Sequence, residues 1–302
     1  MERESSLIID TIEEYNRICE CETKNPLVSL IELTSNRITN VPTVMKLGFY
    51  AIYLKCPAEN SEQEETDDSV LTNSLIMAYA PGSEIHFHVL PVHEPYTVIG
   101  LFFSPELIKG SVFGRYYTEY TYFKYKREES LYLTRYEKEM MLSLFSRIKN
   151  ELEHEEDRNT LYILTDQVKL VLDNCLRFYD RQFASQHKQN YQVAQQFMQN
   201  VSKYLNGGMA KKMGVPTISY FADQACMSPG YFSDIIKRET GVNIKRFIQY
   251  KIIEVAKQML VADDTPINEI AERLGFKYPQ HFTRLFKHEM GMSPRDFRKQ
   301  RK

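Results

Sequence analysis

The 302-residue sequence contains no tryptophan, few cysteines and no apolar run approaching the ~18 residues that a membrane-spanning helix requires. Its five cysteines are odd in number and irregularly spaced, which excludes a disulfide framework and predicts reduced thiols in a cytoplasmic protein without a membrane segment. Hydrophobic residues make up 43% of the chain, enough to exclude a disordered or fibrous protein. The length predicts two domains.

Motifs for enzymatic chemistry are also missing. We find no phosphate-binding Walker loop, no glycine-rich dinucleotide fingerprint and no Ser-His-Asp order. The one constellation that could bind a metal is His86-x-His88 followed by Glu94, because alternate strand residues share one face. It resembles the signature of metal-binding cupin barrels, but the spacings depart from it and His93 adds ambiguity. We therefore expect no catalytic residue, metal or cofactor, and leave open whether this cluster lines a ligand pocket.

A net charge of −2 conceals a strong asymmetry along the chain. Residues 190–302 hold 18 Lys and Arg against 10 Asp and Glu, a formal charge of +8. Residues 1–189 hold 20 against 30, a formal charge of −10. A basic segment after an acidic one indicates that only the C-terminal third meets an anionic partner.

The first two-thirds of the chain predict a β-rich domain followed by a helical hairpin. Residues 1–130 contain short β-branched and aromatic runs separated by turn residues, which favours a cupin-like barrel or a sandwich. Residues 131–185 show two apolar stripes at spacings of three and four, typical of paired amphipathic helices. The hairpin either packs on the sheet or extends into a homodimer interface. The polar segment 186–192 is predicted to be a linker before a helix from about Tyr191 to Leu205.

The last third, residues 193–302, contains an internal repeat. The segment Phe232–Gly241 aligns with Phe282–Gly291 at an offset of 50 residues, both fitting F-x-x-aliphatic-apolar-K-x-E-x-G. Upstream, Ile218–Ala222 aligns with Ile267–Ala271 at an offset of 49, so the second turn is one residue longer. The repeat indicates two copies of one structural unit.

Each copy has the pattern of a helix-turn-helix motif, at about 217–241 and 265–291. In the first motif Ser228 is expected to cap the second helix and Pro229 to occupy its first position. In the second motif Thr265 and Pro266 are expected to open the first helix in the same way. Between the motifs, apolar spacing from Ile244 to Leu260 predicts one linker helix of about 17 residues, ~25 Å long.

Residues from about 198 to 302 resemble the DNA-binding domain of the AraC/XylS family of bacterial transcriptional regulators. The residues that carry the resemblance include Ala222, Met227-Ser228-Pro229, Phe232, Lys237, Gly241, Ala256-Lys257-Gln258-Met259-Leu260, Ile270-Ala271, Leu274-Gly275-Phe276, Phe282, Phe286-Lys287, Gly291 and Ser293-Pro294. The fold expected is α+β, with the β-rich domain and hairpin preceding an all-α domain. The resemblance implies a transcription factor that binds double-stranded DNA and RNA polymerase, acts as a homodimer and responds to a small-molecule effector.

The faces of the second helices opposite their apolar stripes are the expected DNA-binding residues: Gly230, Tyr231, Ser233, Asp234, Lys237, Gln280, His281, Thr283, Arg284 and Lys287. Arg284 can bind a guanine through two hydrogen bonds and Gln280 an adenine, whereas the two lysines suit phosphates. Asp234 would repel phosphate, so the first motif is expected to contribute less base-specific energy than the second. Arg298 and the basic residues around it are candidates for further phosphate contacts.

Two alternatives from other functional classes stay open at this point. One is an interaction or adaptor protein that kept this fold without binding DNA. The other, less favoured, is a metal-dependent enzyme of the cupin type that uses the histidine cluster.

Overall fold

The computed structural model describes residues 7–34, 44–57, 69–86, 96–109, 114, 117–262 and 264–301, and divides the chain into two compact units, residues 1–185 and 186–302. Unit 1 is β-rich and ends in a helical hairpin, whereas unit 2 is all-α, so the predicted α+β class is confirmed. Among the described helices, none combines the length and the apolar character needed to cross a membrane.

The described strands of unit 1 form two sheets. They are β1 (Leu7–Ile9), β2 (Val28–Thr34), β3 (Val44–Leu47), β4 (Tyr50–Pro57), β5 (Leu71–Tyr79), β6 (Glu84–His86), β7 (Tyr96–Phe103) and β8 (Leu131–Thr134). One sheet has the order β1-β3-β6 and the other β2-β7-β4-β5-β8; only β1 and β3 pair in parallel. The last strand extends the second sheet, so the range predicted for the hairpin, which began at residue 131, starts with a strand.

One apolar core joins side chains from both sheets of unit 1. Met45 and Ile85 of the smaller sheet pack with Tyr53 and Phe102 of the larger one, and all four are nearly inaccessible to solvent. The Tyr53 hydroxyl lies 3.2 Å from that of Tyr15, and burial raises the pKa of both phenols. Each hydroxyl thereby has a hydrogen-bond partner inside an apolar region, where burying a hydroxyl without a partner would destabilise the fold.

Among the described residues of unit 1, the α-helices with given bounds are α1 (Ile12–Ile18), α2 (Pro105–Ile108), α3 (Arg135–Glu153) and α4 (Thr160–Ser185). The predicted pair of amphipathic helices is α3 and α4. Thr134 and Glu137 form a capping box at the start of α3, each side chain bonding the other's backbone N–H. The buried Glu137 carboxylate also accepts hydrogen bonds from Arg181 of α4, at 2.8 Å from both Nε and Nη2. A bidentate ion pair therefore fastens the hairpin near its open end.

We expect Arg181→Ala to lower the stability of unit 1 by about 2–3 kcal/mol, because the substitution leaves the Glu137 carboxylate buried without its cation. The matched control is Lys169→Ala on the same helix, whose half-exposed pair with Asp173 should contribute less than about 0.5 kcal/mol. Differential scanning calorimetry of the full chain measures both. Equal shifts in the two variants would contradict the role of the Arg181 pair.

Unit 2 contains eight described helices: α5 (His187–Asn206), α6 (Met209–Met213), α7 (Ile218–Gln224), α8 (Pro229–Thr240), α9 (Ile244–Ala262), α10 (Ile267–Arg273), α11 (Pro279–Met290) and α12 (Pro294–Arg301). The prediction that residues 186–192 form a linker is wrong, because α5 begins at His187. Its polar residues are mostly good helix formers, and Asn190 is already buried there. The predicted linker helix is α9, which is 19 residues long.

The two helix-turn-helix motifs, α7–α8 and α10–α11, share one turn geometry. After α7 the backbone N–H groups of Cys226 and Met227 donate to Asp223 and Ala222; after α10 those of Gly275 and Phe276 donate to Glu272 and Ala271. Both patterns are Schellman motifs with a left-handed residue, at Cys226 (φ +57°) and Gly275 (φ +86°). The second turn is one residue longer, as the repeat offsets predict.

Candidate DNA-binding interface

The second helix of each motif, α8 and α11, begins with a proline and ends at a glycine. In α8 the Ser228 hydroxyl accepts from the Tyr231 N–H at 3.1 Å, which confirms the predicted cap, and Gly241 ends the helix at φ +71°. In α11 Pro279 follows Tyr278, which makes no side-chain cap, and Gly291 ends the helix at φ +71°. The first helix of that motif starts after Pro266, which occupies the N-cap position. The prediction that Thr265 caps this helix is therefore wrong.

Fully buried phenylalanines fix which face of each helix is open. Phe232 anchors α8, and Phe282 and Phe286 anchor α11, in the core of unit 2. Successive helical side chains are separated by about 100°, so the side of each helix opposite these anchors points outward. Gly230, Ser233 and Asp234 of α8 are partly exposed and Lys237 is exposed.

Tyr231 does not lie on this open face, contrary to the prediction. It is only 7% exposed, and its hydroxyl donates to the Gln186 side chain at 3.2 Å. Tyr231 lies four residues before the buried Ile235, so the two side chains share one helical face. The four-residue spacing from Ile235 is the sequence signal that could have assigned Tyr231 to the buried stripe.

The open face of α11 carries more positive charge than that of α8, and more of its side chains are exposed. Gln280, His281, Arg284 and Lys287 are exposed. Thr283 is half-buried, and its hydroxyl donates back to the Pro279 carbonyl at 3.1 Å. Within the described part of the chain, the side chains of Gln280, Arg284 and Lys287 have no hydrogen-bond or ion-pair partner. These three groups are therefore available to bases and phosphates.

Tyr278, directly before α11, was not among the predicted contacts. Its ring is 49% exposed and lies edge-on to that of His281, with 5.6 Å between ring centroids. The Lys277 ammonium lies 5.6 Å from the Tyr278 ring centroid. An exposed tyrosine between a lysine and a helix-opening proline is the signal that could have identified this extension of the open face.

Sequence comparisons match the helix-turn-helix part of this unit. A family model described as a helix-turn-helix domain matches residues 221–300, from within α7 into α12. The transcriptional regulatory protein YesN of Bacillus subtilis is 33% identical over 96 residues, covering 30% of this chain and 26% of YesN. The transcriptional activator RhaS of Escherichia coli is 32% identical over 80 residues, covering 26% of this chain and 29% of RhaS. Over this domain the chain is similar to AraC-type transcriptional regulators, as the sequence analysis predicts.

The matches cover only part of each relative. The chain covers between 11% and 53% of the length of the first three curated relatives. Among solved structures, the C-terminal domain of AraT, a response regulator from Geobacillus stearothermophilus, is 30% identical; the match covers 34% of this chain and 84% of that one, with a TM-score of 0.31.

Arg298, a basic residue near the end of the domain, makes hydrogen bonds within the protein. The Arg298 guanidinium, expected to contact phosphate, donates to the backbone carbonyl of Thr265 at 2.6 Å and to that of Leu260 at 3.3 Å. It thus satisfies carbonyls at the end of α9 and beyond, and ties α12 to them. Arg295 and Lys299 are exposed.

The histidine cluster of unit 1 is only partly within the described structure. His86 ends β6, and its Nε2 lies 3.0 Å from the Glu84 carboxylate on the same exposed edge. His88, His93 and Glu94 lie outside the described residues. Within the described ranges, no three His, Cys, Asp or Glu side chains converge as metal ligands would.

Proposed function

We propose that the whole protein is a sequence-specific transcription factor that acts on double-stranded DNA in the cytoplasm. The observation that carries the proposal is the pair of helix-turn-helix motifs with one shared turn geometry, each presenting an open helix face on a buried phenylalanine anchor. The +8 charge of residues 190–302 supplies the electrostatic attraction that DNA binding requires.

The two motifs suit a site that spans two successive major grooves. Helix α9, with 19 residues, is about 28 Å long and connects them without interruption. Successive major grooves on one face of a duplex are about 34 Å apart. We expect α8 to enter one groove and α11 the next, with α11 providing most of the base discrimination.

Unit 1 is proposed to control this activity as a sensor and a homodimerisation unit. The support for pairing lies on α4, where Tyr162, Ile163 and Leu170 expose between 39% and 72% of their surface on one side of the helix. Apolar side chains exposed together on a helix favour burial against another protein surface. A small-molecule effector that binds one arrangement of the dimer better would shift DNA occupancy and so change recruitment of RNA polymerase.

Selection of duplexes from random genomic fragments by the full-length protein tests the proposal. We expect one recurring motif pair with half-sites about one helical turn apart. The control is a variant with both Arg284→Ala and Lys287→Ala, which should recover no enriched sequence. Failure of the unaltered protein to enrich any sequence would instead favour the adaptor alternative.

Binding to the selected duplex should weaken steeply with salt. Each phosphate that a Lys or Arg neutralises adds about 0.9 to the slope of log K against log salt, so two or more such contacts lower the affinity at least about tenfold between 50 and 200 mM salt. Fluorescence anisotropy at several salt concentrations measures the slope. A flat dependence would contradict an interface built on Lys237, Lys287 and their neighbours.

A further inference from the structure

An apolar groove of about 640 Å³ lies within unit 2, beside the open face of α11. Its apolar lining includes Ile218 at the start of α7 and Leu285 of α11, together with Ile248 and Ile252 of α9, which we call the floor because they are buried. Ile248 and Ile252 belong to the core of the unit, so the floor is fixed by packing. A concave, mostly apolar site of this volume matches those that bind small molecules.

The rim of the groove carries only basic ionisable groups. These are Lys245 of α9 and His281, Arg284 and His288 of α11; no Asp or Glu is among the lining residues. His288 is hydrogen-bonded at Nδ1 to the neighbouring Glu289. Within the described part of the chain, the Lys245 and Arg284 side chains have neither an ion-pair nor a hydrogen-bond partner.

We propose that this groove binds a small amphipathic anion, with its apolar body on the isoleucine floor and its carboxylate or sulfonate between Lys245 and Arg284. Charge complementarity selects an anion over a cation, because the lining holds two cations without an ion-pair partner in the described chain and no acidic residue. The apolar floor selects an organic anion over phosphate or sulfate, which could not cover Ile248 and Ile252.

The site also predicts antagonism with DNA, a consequence that rests on the proposed function. Arg284 lies both on the groove rim and on the open face of α11 that is expected to contact bases. An anion held by its guanidinium would compete with the duplex for the same donors. Because coupling between two ligands is reciprocal, the duplex should weaken anion binding by the same factor.

The probe for the site is 8-anilinonaphthalene-1-sulfonate, and its uncharged counterpart is N-phenyl-1-naphthylamine, which keeps the aromatic body without the sulfonate. We expect Lys245→Gln to weaken binding of the sulfonate to the full chain by about fivefold or more, by loss of one charge-assisted contact, and to leave the uncharged probe unaffected. Arg246→Gln, at an exposed cation on the same helix outside the groove, is the matched control and should change neither affinity.

The absence of tryptophan allows the bound probe to be located. Gln249→Trp places a single indole in the groove lining. We expect the sulfonate probe to quench its emission with the same midpoint as the probe fluorescence, and we expect Lys245→Gln to shift both midpoints together. Equal sulfonate affinity in Lys245→Gln and Arg246→Gln, or no quenching of the indole, would overturn the proposed site.

A titration of the probe with and without the selected duplex separates the two proposals. We expect saturating duplex to weaken sulfonate binding about tenfold or more. A duplex that binds normally but leaves the sulfonate affinity unchanged would overturn the antagonism and leave the transcription factor intact. A probe that binds in a Lys245-dependent way to a protein that selects no duplex would support the groove and refute the proposed function.

Discussion

Arg284→Ala should weaken binding of the full chain to its selected duplex by about ten- to a hundredfold, whereas Ser233→Ala should change it less than about threefold. A bidentate pair between arginine and guanine contributes about 1–3 kcal/mol of discrimination, and every 1.4 kcal/mol is tenfold in affinity. The two residues occupy corresponding open faces of α11 and α8, so the difference tests which motif provides most of the base recognition.

The exposure and hydrogen bonds of the two side chains explain why Arg284→Ala should have the larger effect. The Arg284 guanidinium is exposed and, within the described residues, has all its donors available. The Ser233 hydroxyl is half-buried and already donates to the Pro229 carbonyl at 2.6 Å. Asp234 beside it carries a charge that phosphates repel. The first motif therefore offers DNA fewer unengaged donors than the second.

Anisotropy titrations at one fixed salt concentration measure both variants, with Lys287→Ala as the control for charge. Loss of a phosphate contact should weaken binding to all duplexes alike and reduce the salt slope by about one. Loss of Arg284 should in addition relax discrimination at one base pair. Equal losses for Arg284→Ala and Ser233→Ala, or a loss at Arg284 that is uniform across sequences, would contradict base recognition by this arginine.

The local part of the interface was predictable because the helix-turn-helix motif is encoded at short range. Several sequence signals act within a few residues of their own positions. They are the cap at Ser228, the proline at the first position of α8 (Pro229), the glycine after each second helix, and the small Ala222 and Ala271. They predicted both motifs, and the repeat offsets of 49 and 50 predicted the extra residue in the second turn. The α9 boundaries differ from the prediction only at the C-terminal end, by two residues.

Contacts between distant segments were not predictable from these patterns. Tyr231 is buried partly through Gln186, 45 residues earlier, and Arg298 binds carbonyls 33 and 38 residues earlier. The Arg181–Glu137 pair spans 44 residues. Periodicity assigns a residue to a helix face, but it does not show which other segment covers that face. The groove beside α11 was missed for the same reason, since its lining comes from α7, α9 and α11.

Gly275→Ala should destabilise unit 2 by about 3 kcal/mol or more and abolish DNA binding at physiological temperature, as the sum of left-handed strain and overpacking. A Cβ atom at Gly275 would lie 2.4 Å from the Gly214 carbonyl carbon, 2.6 Å from its oxygen and 2.6 Å from the Val215 nitrogen. All three are backbone atoms, so no side-chain rotation can relieve the contact.

The close approach, rather than the left-handed conformation, accounts for most of this effect. Cys226 has φ +57° at the corresponding turn of the first motif, so a side chain is tolerated in that conformation. Gly291→Ala is the matched control: φ there is +71°, but apart from Gly291 and its two chain neighbours no described atom lies within 4 Å of the added Cβ. We expect that variant to cost only about 1–2 kcal/mol. Similar melting temperatures for the two variants would show that the contact can relax.

The same contact connects stability to recognition. The Gly214 carbonyl that meets Gly275 also accepts a hydrogen bond from the Tyr204 hydroxyl at 3.0 Å, so the segment before α7 is held between α5 and the turn of the second motif. Displacing it would alter the separation of α8 and α11. Below its unfolding temperature, the Gly275→Ala protein should therefore lose its preference for the half-site spacing of the selected duplex before it loses helix content. Circular dichroism measures the helix content, and anisotropy on duplexes of altered spacing measures the preference.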